Sequence, residues 1–326
     1  MAALAFVLEC AAVGACVAVI GSAAAFGLSL LLRNGFGLTP SRRADLALVL
    51  TLGPALATLA VVIATALPPL SSALGGQADD CFSHAHHGHL CLVHLAAPRP
   101  ALLVLGAAAL ALFAFRAVLL AARLSRASGS VALLETLGKV EHLGFPIVWV
   151  PGAPRLCVAT GILRRRVLVS SSLAEALEPP QLEAALAHES AHLRRHDPLV
   201  SVLMQLGSLA LVPFVAGFLA REHAALTEEA CDQAAAREVG EPSLVAEALV
   251  RVAALASQPG PALAFGRGNL ESRVRALLAM SLSQRVPLRL PLLAAAGAGA
   301  ALTLSFVFSQ SGAVHHAVET LLHGLL

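Results

Sequence analysis

LAHESAHLRRHD, Leu186–Asp197, is the stretch on which the reading of this chain turns. His188 and His192 stand four residues apart, with Glu189 directly after the first. On a helix, positions four apart share a face, so two imidazoles at that spacing can hold one metal ion. Glu189 is turned about 100° from His188, beside such an ion but outside its ligands. A carboxylate there can take a proton from an attacking water. Pro180 marks the first turn of the helix, and Leu182, Ala185 and Leu186 give it an apolar side on which to pack. A five-residue pattern of this kind also arises by chance, so its surroundings have to supply a third ligand.

TEEACDQAA, Thr227–Ala235, offers one on a second helix. Glu228 and Asp232 share a face there. Glu228 would complete a set of two histidines and one glutamate and leave a fourth position open, the arrangement of a catalytic zinc site. Asp232 would accept a hydrogen bond from a ligand histidine and fix its tautomer. Glu229, turned about 100° from Glu228, is the alternative ligand.

The surroundings are those of a membrane. Hydrophobic residues make up 57% of the 326 and charged ones 13%, against about 25% charged in a soluble domain. Mean hydropathy is +0.79. A net charge of +2 gives no electrostatic footprint for nucleic acid. Four apolar segments, Ala2–Leu32, Leu46–Leu67, Ala101–Ala122 and Leu290–Phe308, reach the roughly 20 residues that cross the hydrocarbon core. The first lacks a basic leading region and is too long for a signal peptide. Arg33, Arg42 and Arg43 follow the first span, and Arg123 and Arg126 follow the third. Arg99 is the one arginine or lysine in the connection Pro68–Pro100. By the positive-inside rule, both termini lie outside and residues 127–289 lie in the cytoplasm. The expected organisation is a membrane domain over 1–126, an inner module over 127–289, and a last span with a short outer tail over 290–326.

Within the module, Ser130–Leu143 reads as a helix ended by Gly144. Pro146–Val150, Leu156–Thr160 and Arg166–Ser170 read as strands between Pro and Gly punctuation. Helices are expected over Gln181–Arg195, Arg221–Val239, Ser243–Leu255 and Leu270–Leu282. Arg164–Ser170 has the alternation of an exposed edge strand.

The runs GILRRRVLVSSSLAEAL (Gly161–Leu177), QLEAALAHESAHLRRHDPL (Gln181–Leu199) and EEACD (Glu228–Asp232) resemble the BlaR/MecR-type antirepressor metallopeptidases, a gluzincin membrane family. The placing of a peptidase between the third and fourth spans is similar too. The resemblance implies Zn2+ held by His188, His192 and Glu228, with Glu189 as catalytic base. It implies an α-helical membrane protein with four transmembrane helices and a cytoplasmic α+β, zincin-like module between the last two. An edge strand such as Arg164–Ser170 would pair with extended substrate, as in gluzincins. The β-lactam-sensing members carry a penicillin-binding domain after the last span. Here only Ser309–Leu326 follows, so antibiotic sensing by that route is not expected. The chain has no tyrosine, which leaves His223 or Arg221 as the groups that could stabilise an oxyanion.

Leu199–Ala220, between the two halves of the site, is apolar enough to be mistaken for a span. One crossing would separate His188 from Glu228, and two would need about 40 residues. The run is therefore expected to return, with Pro213 bending it into two short helices that dip into the membrane or cover the module. A rival cluster, His84, His86, His87, His89 and His94, sits in the outer connection that also holds Cys81 and Cys91. It has no helix to set ligand geometry and no glutamate beside it, and a solvated loop closed by a disulfide explains it better than a metal site.

The expected function is a zinc-dependent endopeptidase of a bacterial-type inner membrane, cutting a cytoplasmic or membrane-adjacent protein in a signalling role. By resemblance, the substrate is a transcriptional repressor or the chain itself. One alternative is a quality-control protease of the HtpX type, which shares the motif and the later glutamate helix but places membrane segments between them. The other is a non-catalytic receptor or metal-responsive scaffold, against which Glu189 argues, because a structural site needs no base. The expected partners are the lipid bilayer and a protein or peptide substrate, with no direct contact to nucleic acid. Oligomeric state is left open.

Overall fold

The computed structural model describes residues 2–33, 38–75, 99–142, 145–255, 270–280, 301, 305 and 308–324. It opens with three long helices, α1 (Ala2–Arg33), α2 (Pro40–Gly75) and α3 (Pro100–Leu137). Ala3–Leu32, Pro40–Ser71 and Pro100–Leu137 are long and apolar enough to cross a membrane. Ile20, Leu31, Val104 and Val118 are exposed on them, as side chains facing lipid would be. Apart from residues 301, 305 and 308, the fourth expected span lies outside the described residues, as does the histidine-rich connection with Cys81 and Cys91.

Helix α3 runs unbroken to Leu137, so the separate helix expected over Ser130–Leu143 is its last turns and stops earlier. Gly138 ends it. A Cβ there would lie 2.2 Å from Val148 Cγ1 and 3.1 Å from the Trp149 carbonyl, so only glycine lets the chain pass. Lys139–His142 then forms strand β1 instead of helix. It pairs antiparallel with β2 (Pro146–Val150), and Trp149 Nε1 donates to Glu141 across the pair at 2.7 Å.

The sheet is completed by β3 (Cys157–Thr160) and β4 (Arg166–Ser170), in the order β1-β2-β4-β3. β4 is parallel to β2 and antiparallel to β3. The exposed edge expected at Arg164–Ser170 is therefore corrected: β4 is internal. Its Val-Leu-Val core is apolar on both sides and both sides are covered. Val167 and Val169 pack on Ile147 and Leu193, while Leu168 packs with Val148 and Val150 near Val131 and Leu134 of α3. The edge near the site belongs to half-exposed β3.

A short helix α4 (Ser171–Ala174) leads to α5 (Pro179–Arg194), α6 (Asp197–Ser208), α7 (Pro213–Val239), α8 (Pro242–Leu255), α9 (Leu270–Leu278) and, far along the chain, α10 (Ser311–Gly324). α5 begins with two prolines, which need no backbone donor in the first turn, and Gln181 Oε1 accepts from the Glu178 N–H at 3.2 Å. Small residues Ala184 and Ala187 let it lie close to Ala235 and Ala236 of α7 and to Val245 and Ala248 of α8.

After α5, His196 adopts a left-handed conformation (φ 59) and turns the chain into α6. α6 and α7 form a hairpin against the long helices. Val200 and Met204 pack on Leu48, and Leu211, Val215, Ala216 and Leu219 pack with Ala25 and Leu50. Gly207 passes so close to Thr51 and Leu52 that a Cβ would meet them at 3.0–3.2 Å. The turn between the helices lies against α3, and side chains of the long helices serve its backbone groups. Arg116 of α3 donates to the carbonyls of Ser208 (2.5 Å), Leu209 (3.2 Å) and Leu211 (2.7 Å). Ser22 Oγ of α1 accepts from the Val212 N–H at 3.0 Å. The run Leu199–Ala220 thus turns back. The run holds two helices as expected, α6 and the start of α7, but Pro213 opens the second instead of bending it, and that helix continues without a break into the one expected over Arg221–Val239, 27 residues in all.

Candidate metal centre

The return of α7 lays Glu228 across the face of α5 that carries His188 and His192. The two Nε2 atoms are 3.1 Å apart. Glu228 Oε2 lies 3.6 Å from His188 Nε2, and its Oε1 lies 3.6 Å from His192 Nε2. Ligands about 2.1 Å from a tetrahedral ion are about 3.4 Å from one another. The two ring nitrogens and the nearer Glu228 oxygen of each stand at separations of that size, and one donor from each residue lies within 4.8 Å of the other two, so these residues fit a zinc ion with one coordination position left over.

The outer nitrogens are committed elsewhere. Asp232 Oδ1 lies 2.9 Å from His188 Nδ1, and Asp197 Oδ2 lies 2.9 Å from His192 Nδ1. Each Nδ1–H donates to a carboxylate, which leaves the Nε2 lone pairs pointing inward. Arg273 of α9 closes the arrangement. Its Nε and Nη2 donate to the two oxygens of Asp232 at 2.7 and 2.8 Å, and its Nη1 lies 3.0 Å from Glu228 Oε2. Neither Asp197 nor Arg273 was singled out by sequence reasoning. Asp197 stands at the end of the opening stretch and reaches His192 only because the chain reverses at His196. Arg273 follows Asp232 by 41 residues and carries no local signal.

The charges favour a cation. Burial raises the Glu228 carboxyl, but His188, His192 and Arg273 outweigh it and bring it down to about 2. Burial opposes ionisation of Asp232 too, and Arg273 and His188 overcome it, again to about 2. Burial lowers His188, yet its hydrogen bond to Asp232 and the nearby Glu228 carboxylate push it up to about 10. Without a metal, the pocket holds positive charge on the ring; a divalent ion would meet the same carboxylates.

Glu189 sits between the donor triangle and the sheet. Its Oε2 accepts the Ala159 N–H of β3 at 2.6 Å. Burial raises its carboxyl above the ordinary range, against the lowering effect of both histidines and the Ala159 amide. Glu229 is not part of the grouping of His188, His192 and Glu228, and Arg43 of α2 is its cationic neighbour. His223 is buried in α7, and the Arg221 guanidinium lies back over Gly217, away from Glu228. Cys231 forms a second grouping with His192 and Asp197. Burial and the charge of Asp197 hold its thiol well above the ordinary value, so without a metal it stays a neutral donor to Asp197.

Residues 158–269 match the model of Peptidase family M48. The match starts in β3 and takes in α5, the α6–α7 hairpin, Glu228 and Asp232. A domain of this family implies a metallopeptidase, and metal dependence is typical of its members. No curated protein and no solved structure matches the chain.

Proposed function

We propose that the chain is a zinc-dependent membrane endopeptidase, with His188, His192 and Glu228 as zinc ligands and Glu189 as catalytic base. The supporting observation is the convergence of three donor atoms whose histidines are each oriented by a carboxylate. Zinc there would polarise the scissile carbonyl and acidify the attacking water. Glu189 takes the proton from that water and returns it to the leaving nitrogen, a shuttle suited to a carboxyl whose pKa burial has raised. Asp232 and Asp197 keep the two rings in register while this happens. β3 is the strand along which an extended substrate would add, and its Ala159 amide already reaches the base.

The site stands at the membrane surface. Arg195, three residues past His192, donates through Nη1 to Ser41 Oγ at 2.6 Å, and Ser41 lies five residues before the apolar run of α2 begins at Leu46. This supports a membrane-adjacent or membrane-anchored protein as substrate. Arg42, Arg43, Arg123 and Arg126 flank the same ends of the spans, which by the positive-inside rule is the cytoplasmic face of an inner membrane. A signalling role of the BlaR/MecR kind, with a repressor or the chain itself as substrate, rests on the sequence likeness. The HtpX-type reading, membrane quality control, gains one observation: α6 and the start of α7 place a membrane-packed hairpin between the two motifs.

The test compares wild type and Glu189→Ala in lipid nanodiscs and in cells, by zinc content and by sequencing new N-termini. Loss of cleavage with zinc and fold retained is the expected outcome. Unchanged cleavage would sink the assignment of the base and favour a scaffold.

A further inference from the structure

The end of α2 farthest from the metal centre contains Pro68 and Pro69 within the helix. A proline has no N–H, so Pro69 leaves the carbonyl of Thr65 without its helical partner. α10 supplies one: His315 Nδ1 lies 2.8 Å from the Thr65 oxygen. The other ring nitrogen, Nε2, lies 3.2 Å from Glu319 Oε1, one turn along α10. Val318 of the same helix and Ala66 of α2 pack against Phe6 and Cys10 of α1. A carbonyl oxygen and an ionised carboxylate can only accept. Both ring nitrogens must therefore donate, and only the imidazolium does that.

We propose that His315 is a pH-dependent clamp, docking α10 on the proline-interrupted end of α2 while the ring is protonated and releasing it when the proton leaves. The neutral ring turns one lone pair toward either the Thr65 carbonyl or the Glu319 carboxylate, and that contact becomes repulsive. The charged and titratable groups around the junction are few. On α10 they are Glu319, the adjacent His316 and, four residues beyond Glu319 in sequence, His323; α2 has none from Leu46 to Gly75. α1 brings Glu9 and Cys10, and Arg99 at the start of α3 acts on Glu9. Among the described residues, Glu319 alone is ion-paired with the ring.

Burial pulls the His315 pKa down, but Glu319 and the Thr65 carbonyl outweigh it and the ring stands above the ordinary histidine value. A group raised in the docked state stabilises docking fully below its undocked pKa and loses that contribution as pH rises through the docked one. Each unit of difference is about tenfold in the docking equilibrium.

The experiment is amide hydrogen exchange on the full chain in nanodiscs from pH 5.5 to 9.5, with rates converted to protection factors. Wild type is expected to lose protection over 311–324 by about tenfold or more toward the alkaline end, while α1–α3 stay protected. His315→Gln, which does not titrate, should give a flat profile. Glu319→Gln should move the transition to lower pH. A flat wild-type profile, an equal loss in His315→Gln, or an unmoved transition in Glu319→Gln overturns the clamp.

Discussion

Arg116 and Arg273 are both drawn away from water, one at the hairpin turn and one at the metal centre, and they are used in opposite ways. Arg116 gives its protons to three neutral main-chain carbonyls. Arg273 meets the carboxylates of Asp232 and Glu228. At the turn the task is to satisfy a bending backbone, so a fork of donors matters more than charge balance. At the metal centre the acceptors are themselves charged, and the arginine limits how much negative charge the histidines and an incoming ion must carry. The same side chain thus holds a shape in one place and sets a potential in the other.

Arg273→Leu should have the largest effect. Removing one partner of a buried ion pair costs about 3–5 kcal/mol, because the other charges stay buried. Thermal unfolding of the module should fall markedly and zinc should be lost on mild chelation, while exchange at the α6–α7 turn stays slow. If Arg273→Lys restores everything, charge alone suffices and the fork is unnecessary.

Arg116→Leu should rank next, at about 1–3 kcal/mol for the carbonyls left unmade. Its signature is the mirror image: fast exchange over Ser208–Val212 with zinc retained. Simultaneous loss of both signals in either variant would show that the two arginines serve one cooperative unit and would erase the distinction.

Asp197→Asn tests the centre alone. Loss of an outer partner of a ligand histidine typically lowers metal affinity by 10- to 100-fold, so competition with a chromophoric chelator should shift by that factor with little change in melting.

The smallest effect expected is on the metal-free protein in acid. Glu228 and Asp232 titrate at about 2 in the fold, below their ordinary values. Their contribution is present above the ordinary carboxylate range and disappears as pH falls toward about 2. His188 runs the other way, its contribution being lost as pH rises through about 10. Melting temperatures of the apo protein should therefore drop at both extremes, and Arg273→Leu should shift the acid limb upward in pH.

What could be read in the sequence was what a helix repeats locally. The spacing of His188 and His192, the pair Glu228 and Asp232, and the end of α7 at Gly240 (φ 81) all follow from helical geometry or from the freedom of one glycine. β2 and β4 announced themselves as Ile-Val and Val-Leu-Val runs. β3 was legible too, as Leu156–Thr160 between Pro154 and Gly161, but the strand order was not, because it is set by pairing between distant segments: β4 alternates like an edge but is closed on both sides, and β3 is the edge beside the site. Lys139–His142 is too short for periodicity to tell strand from helix, and the close approach of Trp149 at Gly138 settles it. Asp197 and Arg273 come to the site through a chain reversal and a separate helix, neither of which leaves a spacing to detect.

α7 is one unbroken helix from Pro213 to Val239. Val215, packed between the long helices, and Glu228, at the metal centre, therefore belong to a single rod and lie about 20 Å apart along it. A tilt of about 5° at the packed end moves the other by about 2 Å, ten times the roughly 0.2 Å within which a zinc–ligand distance is normally held. The helix is a lever: any shift of its packed end against Ala25 and Leu50 is carried mechanically to the Glu228 carboxylate.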